Sequence, residues 1–360
     1  MRESGRTPVR CGVVGTGWRA GFFVRLAQLV PEILDIAGVV SRDPERAREL
    51  GWGVPVFGSV EELVAETDPA FVISSVTWQA NPAVVEQLVE AGVAVLSETP
   101  PAPDVTALKD LWGRVGESGL VQVAEQYPLM PMHSARLEAV RAGLIGAPSS
   151  VHVSSTHQYH AIALLRGFLG VGLGDVQVRA STSTAELLDP MTRAGLREDM
   201  GPHPATTTMA TLDFGPGRSG LYDFTDNQWH NRLRARRLLV RGSHGEINDE
   251  SVIRWDGRVL TSPLLRHQSG YDLDLEGYDS EYIALDGHIL WTNPFIGLRL
   301  PDEEIAILTQ MVAMAAWRRG DGPAPYPLAQ ASHDHAIALA VEQAAVSGET
   351  VEVSDLPWSV

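Results

Sequence analysis

Residues 9–19, VRCGVVGTGWR, carry the spacing that most directly implies chemistry. A short apolar run ends in Gly15-Thr16-Gly17-Trp18-Arg19-Ala20, and an amphipathic segment follows. Gly15 permits a tight turn after a strand. Gly17 has no Cβ, so a pyrophosphate can approach the backbone, and Ala20 is small enough for helix and strand to pack closely. A helix opening here offers free N–H groups and the positive end of its dipole to phosphate oxygens, with Thr16, Trp18 and Arg19 alongside. The residues thus predict a dinucleotide site.

Other candidates follow the carboxyl ends of apolar runs. An NAD site places an acidic side chain after the second strand, to bind both ribose hydroxyls. Ser41 holds that place, leaving room for a 2′-phosphate that Arg42 could pair with, so NADP is favoured over NAD. Arg42 could equally be a solvated loop residue. Asp43 before Pro44 reads as a helix cap. Ser75, Thr77 and Trp78 follow the next apolar strand and are placed to pass the cofactor. Glu98 is placed to meet the nicotinamide ribose, and Gln126 the nicotinamide amide. Thr99-Pro100 is a candidate cis bond. His160 stands at a strand-to-helix junction, where an imidazole can serve as general acid or base or can cap the helix. Tyr159 is its possible partner or substitute. His157 and His160 form HxxH, but no third metal ligand is evident, and none is expected. Arg232, Arg234 and Arg236 alternate as on one strand face, suiting an anionic substrate or a solvated face. His203 reads as a loop residue, and His333 and His335 as surface residues at the start of the last helix.

These residues need elements to hold them. The chain has 360 residues, 44% hydrophobic and 20% charged, enough for two domains. A net charge of −17 argues against nucleic acid and anionic membranes as partners. The only cysteine, Cys11, reads as a buried small hydrophobe, and a reducing cytoplasm is expected. Residues 1–8 are polar, so no signal peptide is expected, and no apolar run reaches the roughly 18 residues of a membrane span. Apolar strands at 9–14, 33–40, 70–75, 94–97 and 121–124 alternate with helices at 21–30, 43–50, from Ser59, from Asn81 and at 104–117. That alternation predicts a doubly wound parallel sheet over residues 1–126. Residues 127–360 change pattern. Helices at 134–143 and 161–169 accompany strands at 151–155, 176–183, 206–214, 220–225, 236–241 and 252–255. Long loops are expected over 261–300, and closing helices at 302–318 and 332–347. The expected class is α/β: an N-terminal Rossmann domain, then an α+β substrate-binding and oligomerisation domain with an open, mostly antiparallel sheet. Such a sheet would expose a broad face in a monomer, so a homodimer or homotetramer is expected.

The order of these pieces resembles the Gfo/Idh/MocA oxidoreductases. GVVGTGWRA followed by VVSRDPERA carries one part of the likeness. Residues 90–100, EAGVAVLSETP, look like the family's G-K-H-V-x-x-E-K-P, and LIGAP followed by HAIALLRGFLG looks like its H-D-I-D-x-x-R-W-x-x-G helix. The resemblance implies hydride transfer between a nicotinamide and a small carbonyl, alcohol or imine, with His160 handling the proton. It also exposes departures. Thr99 replaces the family's lysine and cannot hold a positive charge beside a developing alkoxide. Thr156 replaces an aspartate, Ala161 and Ala163 replace two acids, and Asn81 stands where many relatives carry histidine. An imine substrate tolerates the lost lysine better than a sugar alcohol. The alternatives are a catalytically degenerate member that senses or partners through a dinucleotide or small ligand, and non-redox chemistry through a transient oxidation by tightly held NAD.

Overall fold

The computed structural model describes residues 7–192, 194–270 and 277–359. Two compact units emerge, the first from the chain up to Met130 together with Pro294–Ser332, the second from Pro131–Asn293 together with His333–Ser359. The boundary expected at 126/127 lies close to the first break but takes no account of the return of 294–332.

The first unit alternates β1 (Val9–Val14), α1 (Trp18–Gln28), β2 (Leu34–Val40), α2 (Pro44–Glu49), β3 (Val56–Phe57), α3 (Val60–Thr67), β4 (Phe71–Ser74), α4 (Asn81–Glu90), β5 (Ala94–Ser97), α5 (Val105–Val115) and β6 (Val121–Val123). All six strands are parallel, in the order β3-β2-β1-β4-β5-β6. Nearly every residue of β1, β2, β4 and β5 is buried, as helices on both faces require. The two-residue β3 is too short to show a periodicity that would fix its bounds in the sequence. Local chemistry sets the helix starts. Asp43 accepts from the Arg46 N–H at 3.1 Å with Pro44 in the first turn, and Ser59 accepts from Glu62 N at 3.2 Å. Glu62 reaches back to the Gly58 N–H at 2.8 Å.

The second unit holds α6 (Pro131–Arg141), β7 (Pro148–Ser154), α7 (Gln158–Leu169), β8 (Val176–Leu187), the short pair β9 (Met191–Thr192) and β10 (Gly195–Leu196), β11 (His203–Asp213), β12 (Ser219–Thr225), β13 (Arg237–Gly242), β14 (Gly245–Asn248), β15 (Ser251–Trp255) and β16 (Val259–Pro263). Then come β17 (Leu265–Ser269), β18 (Asp279–Leu285) and β19 (His288–Thr292). Helices α8 (Asp302–Arg319) and α9 (Leu328–Ser347) and strand β20 (Val351–Val353) close the chain. The main sheet is nine-stranded, in the order β16-β15-β14-β13-β7-β12-β11-β8-β20, and antiparallel except where β12 lies parallel to β7.

Several expectations are corrected here. Residues 261–300 are not all long loops: 261–263 finish β16, and 265–269, 279–285 and 288–292 build the antiparallel sheet β17-β18-β19, with His267 stacked on Tyr282 at 4.3 Å, while 271–276 lie beyond the described residues. Bulges in both pairings break the period-two alternation that would have revealed it. His203 begins β11 rather than lying in a loop. Arg232, Arg234 and Arg236 do not share a strand face, because β13 begins only at Arg237 and the preceding residues turn. Helix α8 packs with the first unit, where the Gln310 amide donates to the Val123 carbonyl at 2.6 Å. No described helix is long and apolar enough to cross a membrane.

A buried polar knot ties the carboxyl ends of β4 and β5 together. Asn81, 2% exposed, donates to Ser97 Oγ and to the Pro101 carbonyl, both at 2.8 Å, and accepts from Ser74 Oγ at 2.7 Å. Asparagine suits this place because it donates twice and accepts through one amide. Asn81→Ala leaves the Pro101 carbonyl and the Ser74 hydroxyl without partners, so urea denaturation should show a loss of about 3 kcal/mol. A loss within the scatter of surface substitutions would mean that water replaces the amide.

Candidate nucleotide and histidine sites

In the first unit the strand order reverses between β1 and β4, so a crevice opens beyond their carboxyl ends. Gly15 leaves β1 with φ +117°, and a Cβ there would lie 2.2 Å from the Ser75 carbonyl oxygen that follows β4. Only glycine fits this pinch. The Ser75 N–H donates to the Val14 carbonyl at 2.8 Å and the Gly15 N–H to the Val40 carbonyl at 3.0 Å, so the crossing is fixed from both sides. Gly17 is the N-cap of α1, makes no side-chain cap, and has nothing within 4 Å of the position of a Cβ. The first turn of α1 thus presents its N–H groups to open space, while Ala20 is fully buried beneath.

The structure gathers several of the expected residues around Arg19. Its Nε lies 3.2 Å from Glu98 Oε1, and its Nη1 lies 3.0 Å from Glu303 Oε1 at the start of α8. With its amide nitrogen donating to the Ala124 carbonyl at 2.9 Å, Gln126 accepts from Arg19 Nη2 at 3.3 Å. Burial pulls the Arg19 pKa down, but Glu98 and Glu303 outweigh it, and the net direction is upward. The second oxygen of Glu98 accepts from the Thr99 N–H at 3.1 Å. The Thr99-Pro100 bond is cis. Glu303 went unseen because it lies 284 residues from Arg19 and no local pattern marks it.

The remaining first-unit candidates stand nearer the rim. Ser41 is buried and its hydroxyl donates to the Asp43 carbonyl at 3.0 Å, while Arg42 is exposed. Thr16 is half-buried, Thr77 is exposed and accepts from the Asn81 N–H at 3.0 Å, and Trp18 and Trp78 are 54% and 46% exposed. Trp18 meets Phe22 edge-on at 4.5 Å.

In the second unit His160 and Tyr159 are both buried, on the first turn of α7 rather than ahead of it. The helix starts three residues before the expected 161, with His157 as its N-cap residue and no side-chain cap bond. The His160 ring lies 4.5 Å from the Tyr159 ring and 5.4 Å from that of His157. Burial first, then the neighbouring His160, brings the His157 pKa down to about 4, so this ring stays neutral. Thr156 is fully buried, and Ala161 and Ala163 face the core. His333 and His335 are not on the surface, being 1% and 4% exposed, because α9 is buried on every side over this stretch. His333 Nε2 donates to the Gly174 carbonyl at 3.1 Å. Burial, then Arg166, lowers its pKa to about 4. Between them Asp334 pairs with Arg166 at 2.5 Å, both side chains almost wholly buried. Among the described residues no three His, Cys, Asp or Glu side chains are grouped to hold a metal ion.

The crevice geometry coincides with what sequence comparison finds. Residues 9–127 match the oxidoreductase family with an NAD-binding Rossmann fold named Gfo/Idh/MocA. Over these residues the chain is similar to that family. No curated protein matches the sequence. Solved structures of similar fold include an NAD-binding oxidoreductase from Klebsiella pneumoniae, at TM-score 0.69 and 15% identity over 97% of this chain and 100% of that one. A myo-inositol dehydrogenase from Corynebacterium glutamicum aligns at TM-score 0.68 and 16% identity over 97% and 99% of the two chains. An Agrobacterium radiobacter oxidoreductase in complex with NAD+, L-tartaric acid and magnesium aligns at 0.67 and 16% over 96% and 98%. At such identities the likeness is one of fold. The Gfo/Idh/MocA match ends at residue 127, close to the end of the first unit's continuous stretch.

Two measurements test these sites. Gly15→Ala should abolish calorimetric binding of NAD(H) and NADP(H) and lower stability by about 1–3 kcal/mol, whereas Gly17→Ala should leave the melting temperature unchanged and weaken binding about tenfold or more. Equal loss of stability in both would remove the distinction between pinch and cradle. For the histidines, a folded pKa of about 4 against the ordinary value of 6.5 means that the unfolded chain takes up protons first on acidification. Their contribution is intact above pH 6.5 and is lost progressively towards pH 4. His157→Gln should flatten the pH dependence of unfolding in that window, read by urea titrations at several pH values.

Proposed function

We propose that this chain is an NAD(P)-dependent oxidoreductase that moves hydride between a nicotinamide and the carbon of a small carbonyl, alcohol or imine. The observation that carries this reading is the pinch of Gly15 against Ser75 beneath an uncapped helix N-terminus. The space at Gly17 that a Cβ would enter suits a diphosphate, and the main-chain N–H groups suit its charge. Gly15, Thr16 and Gly17 would hold the diphosphate, with Trp18 and Arg19 beside it. Ser75, Thr77 and Trp78 would line the cofactor's path, and Glu98 and Gln126 the nicotinamide half. When bound, the nicotinamide supplies or accepts the hydride.

The proton is assigned to His160, with Tyr159 as its partner. Thr99 supplies a hydroxyl where the family's lysine would stand. It can donate a hydrogen bond but brings no charge, which favours an imine or another substrate that needs little alkoxide stabilisation. NADP is the favoured cofactor, because Ser41 places no carboxylate after β2 and Arg42 is exposed beside it. Self-association into a homodimer or homotetramer is supported by exposed apolar side chains on the nine-stranded sheet, Met209 at 46% and Leu221 at 38%.

One observation favours a second reading, a dinucleotide-binding sensor without turnover. The Arg19 guanidinium is already shared by Glu98 and Glu303. Thr99, Thr156, Ala161 and Ala163 add to that case. A steady-state NADPH oxidation screen over imines, keto acids and aldehydes separates the two readings. Turnover with an imine or keto acid supports the enzyme, and calorimetric cofactor binding with no turnover anywhere on the panel supports the sensor. Arg42→Ala should raise the Kd for NADP(H) about tenfold, roughly 1.4 kcal/mol, and leave that for NAD(H) unchanged.

A further inference from the structure

The second unit contains a cavity of about 220 Å³ that the proposed hydride chemistry does not use. Its lining includes the rings of His157, Tyr222, Phe224 and Trp229 and the carboxylates of Asp226 and Glu342. The rings form a continuous wall. Phe224 and Trp229 lie parallel to within 1° at 5.9 Å, Tyr222 and Phe224 to within 11° at 6.4 Å, and His157 packs 5.3 Å from Trp229. Strand alternation builds most of it, since Tyr222 and Phe224 are both buried residues of β12.

The charges in the cavity are all of one sign. Asp226 accepts from the Thr206 N–H at 2.9 Å, and Glu342 accepts from the Gln158 amide at 2.5 Å. Neither carboxylate has a salt bridge among the described residues. Nor does the wall offset them, because His157 stays neutral, with a pKa of about 4. The Tyr222 hydroxyl accepts from the Gln158 N–H at 3.3 Å. Its pKa is pushed up to about 12, by burial first and then by Glu342, Asp223 and Asp226, as a negative local field requires. Electron-rich ring faces beside carboxylates that have no salt bridge among the described residues suit an organic cation, and a hydrated metal ion would gain little from four rings. A cavity of this size suits a few heavy atoms rather than a cofactor.

We propose that this aromatic and acidic cavity is a binding site for a small organic ammonium ion. Calorimetry of the full chain with tetramethylammonium chloride, against sodium chloride at equal ionic strength, should show saturable binding at one site. Neutral tert-butanol, with the same five heavy atoms in a tetrahedral arrangement, should bind at least tenfold more weakly. Trp229→Leu keeps apolar area but removes the ring face, and should weaken tetramethylammonium binding about tenfold. Glu342→Gln and Asp226→Asn alter exposed side chains and keep the test valid if Trp229→Leu fails to fold. Their double variant should also weaken binding about tenfold. The proposal is overturned if tetramethylammonium gives only dilution heat, if the alcohol binds as tightly, or if the carboxamide double variant binds with unchanged affinity.

Discussion

A missing methyl group decides the character of the first unit. Where β1 ends, the chain must cross the end of β4 so closely that the Ser75 carbonyl oxygen occupies the place of a Gly15 side chain. That crossing aims α1 so that its first turn faces the crevice at which the sheet reverses its order. A side chain at residue 15 would push β1 and β4 apart and turn the helix terminus away. The anion-binding capacity of the crevice therefore comes from backbone placement.

Side-chain charge is spent differently. The guanidinium of Arg19, one residue into α1, is held by Glu98 from the end of β5, Glu303 from α8 and the Gln126 amide from the end of β6. Two carboxylates around one cation leave no net positive charge there. The same contacts fix Glu98 and Gln126, the two residues proposed for the nicotinamide half. Arg19 is thus a hub joining four elements of the unit, and the Asn81 knot performs the corresponding service at the β4 and β5 ends with neutral groups.

The second unit buries polarity on a larger scale. Arg166 and Asp334 form an ion pair almost out of reach of water, with His333 hydrogen-bonded to a main-chain carbonyl beside it. Removing either partner of such a pair leaves an uncompensated charge in a low-dielectric interior, which holds α7 and α9 to one another. His157, His160 and Tyr159 sit on the same helix start. Burial keeps His157 uncharged, so the carboxylates nearby are left to set the local field.

The amino-acid order alone determined the doubly wound sheet, the glycine turn, the Asp43 and Ser59 caps and the open antiparallel sheet of the second unit. Each is a local property: parallel strands covered on both faces are continuous apolar runs, caps need one polar residue at one place, and alternation marks a half-exposed strand. Only the tertiary structure decided which charges meet. Glu303 reaches Arg19 across 284 residues, and β17 to β19 pair through bulges that erase their alternation. His333 and His335 lie inside because the helix that carries them is covered on every side. Residue type states what a group can do, but a pairing energy exists only once the chain has brought two distant groups together and removed the water between them.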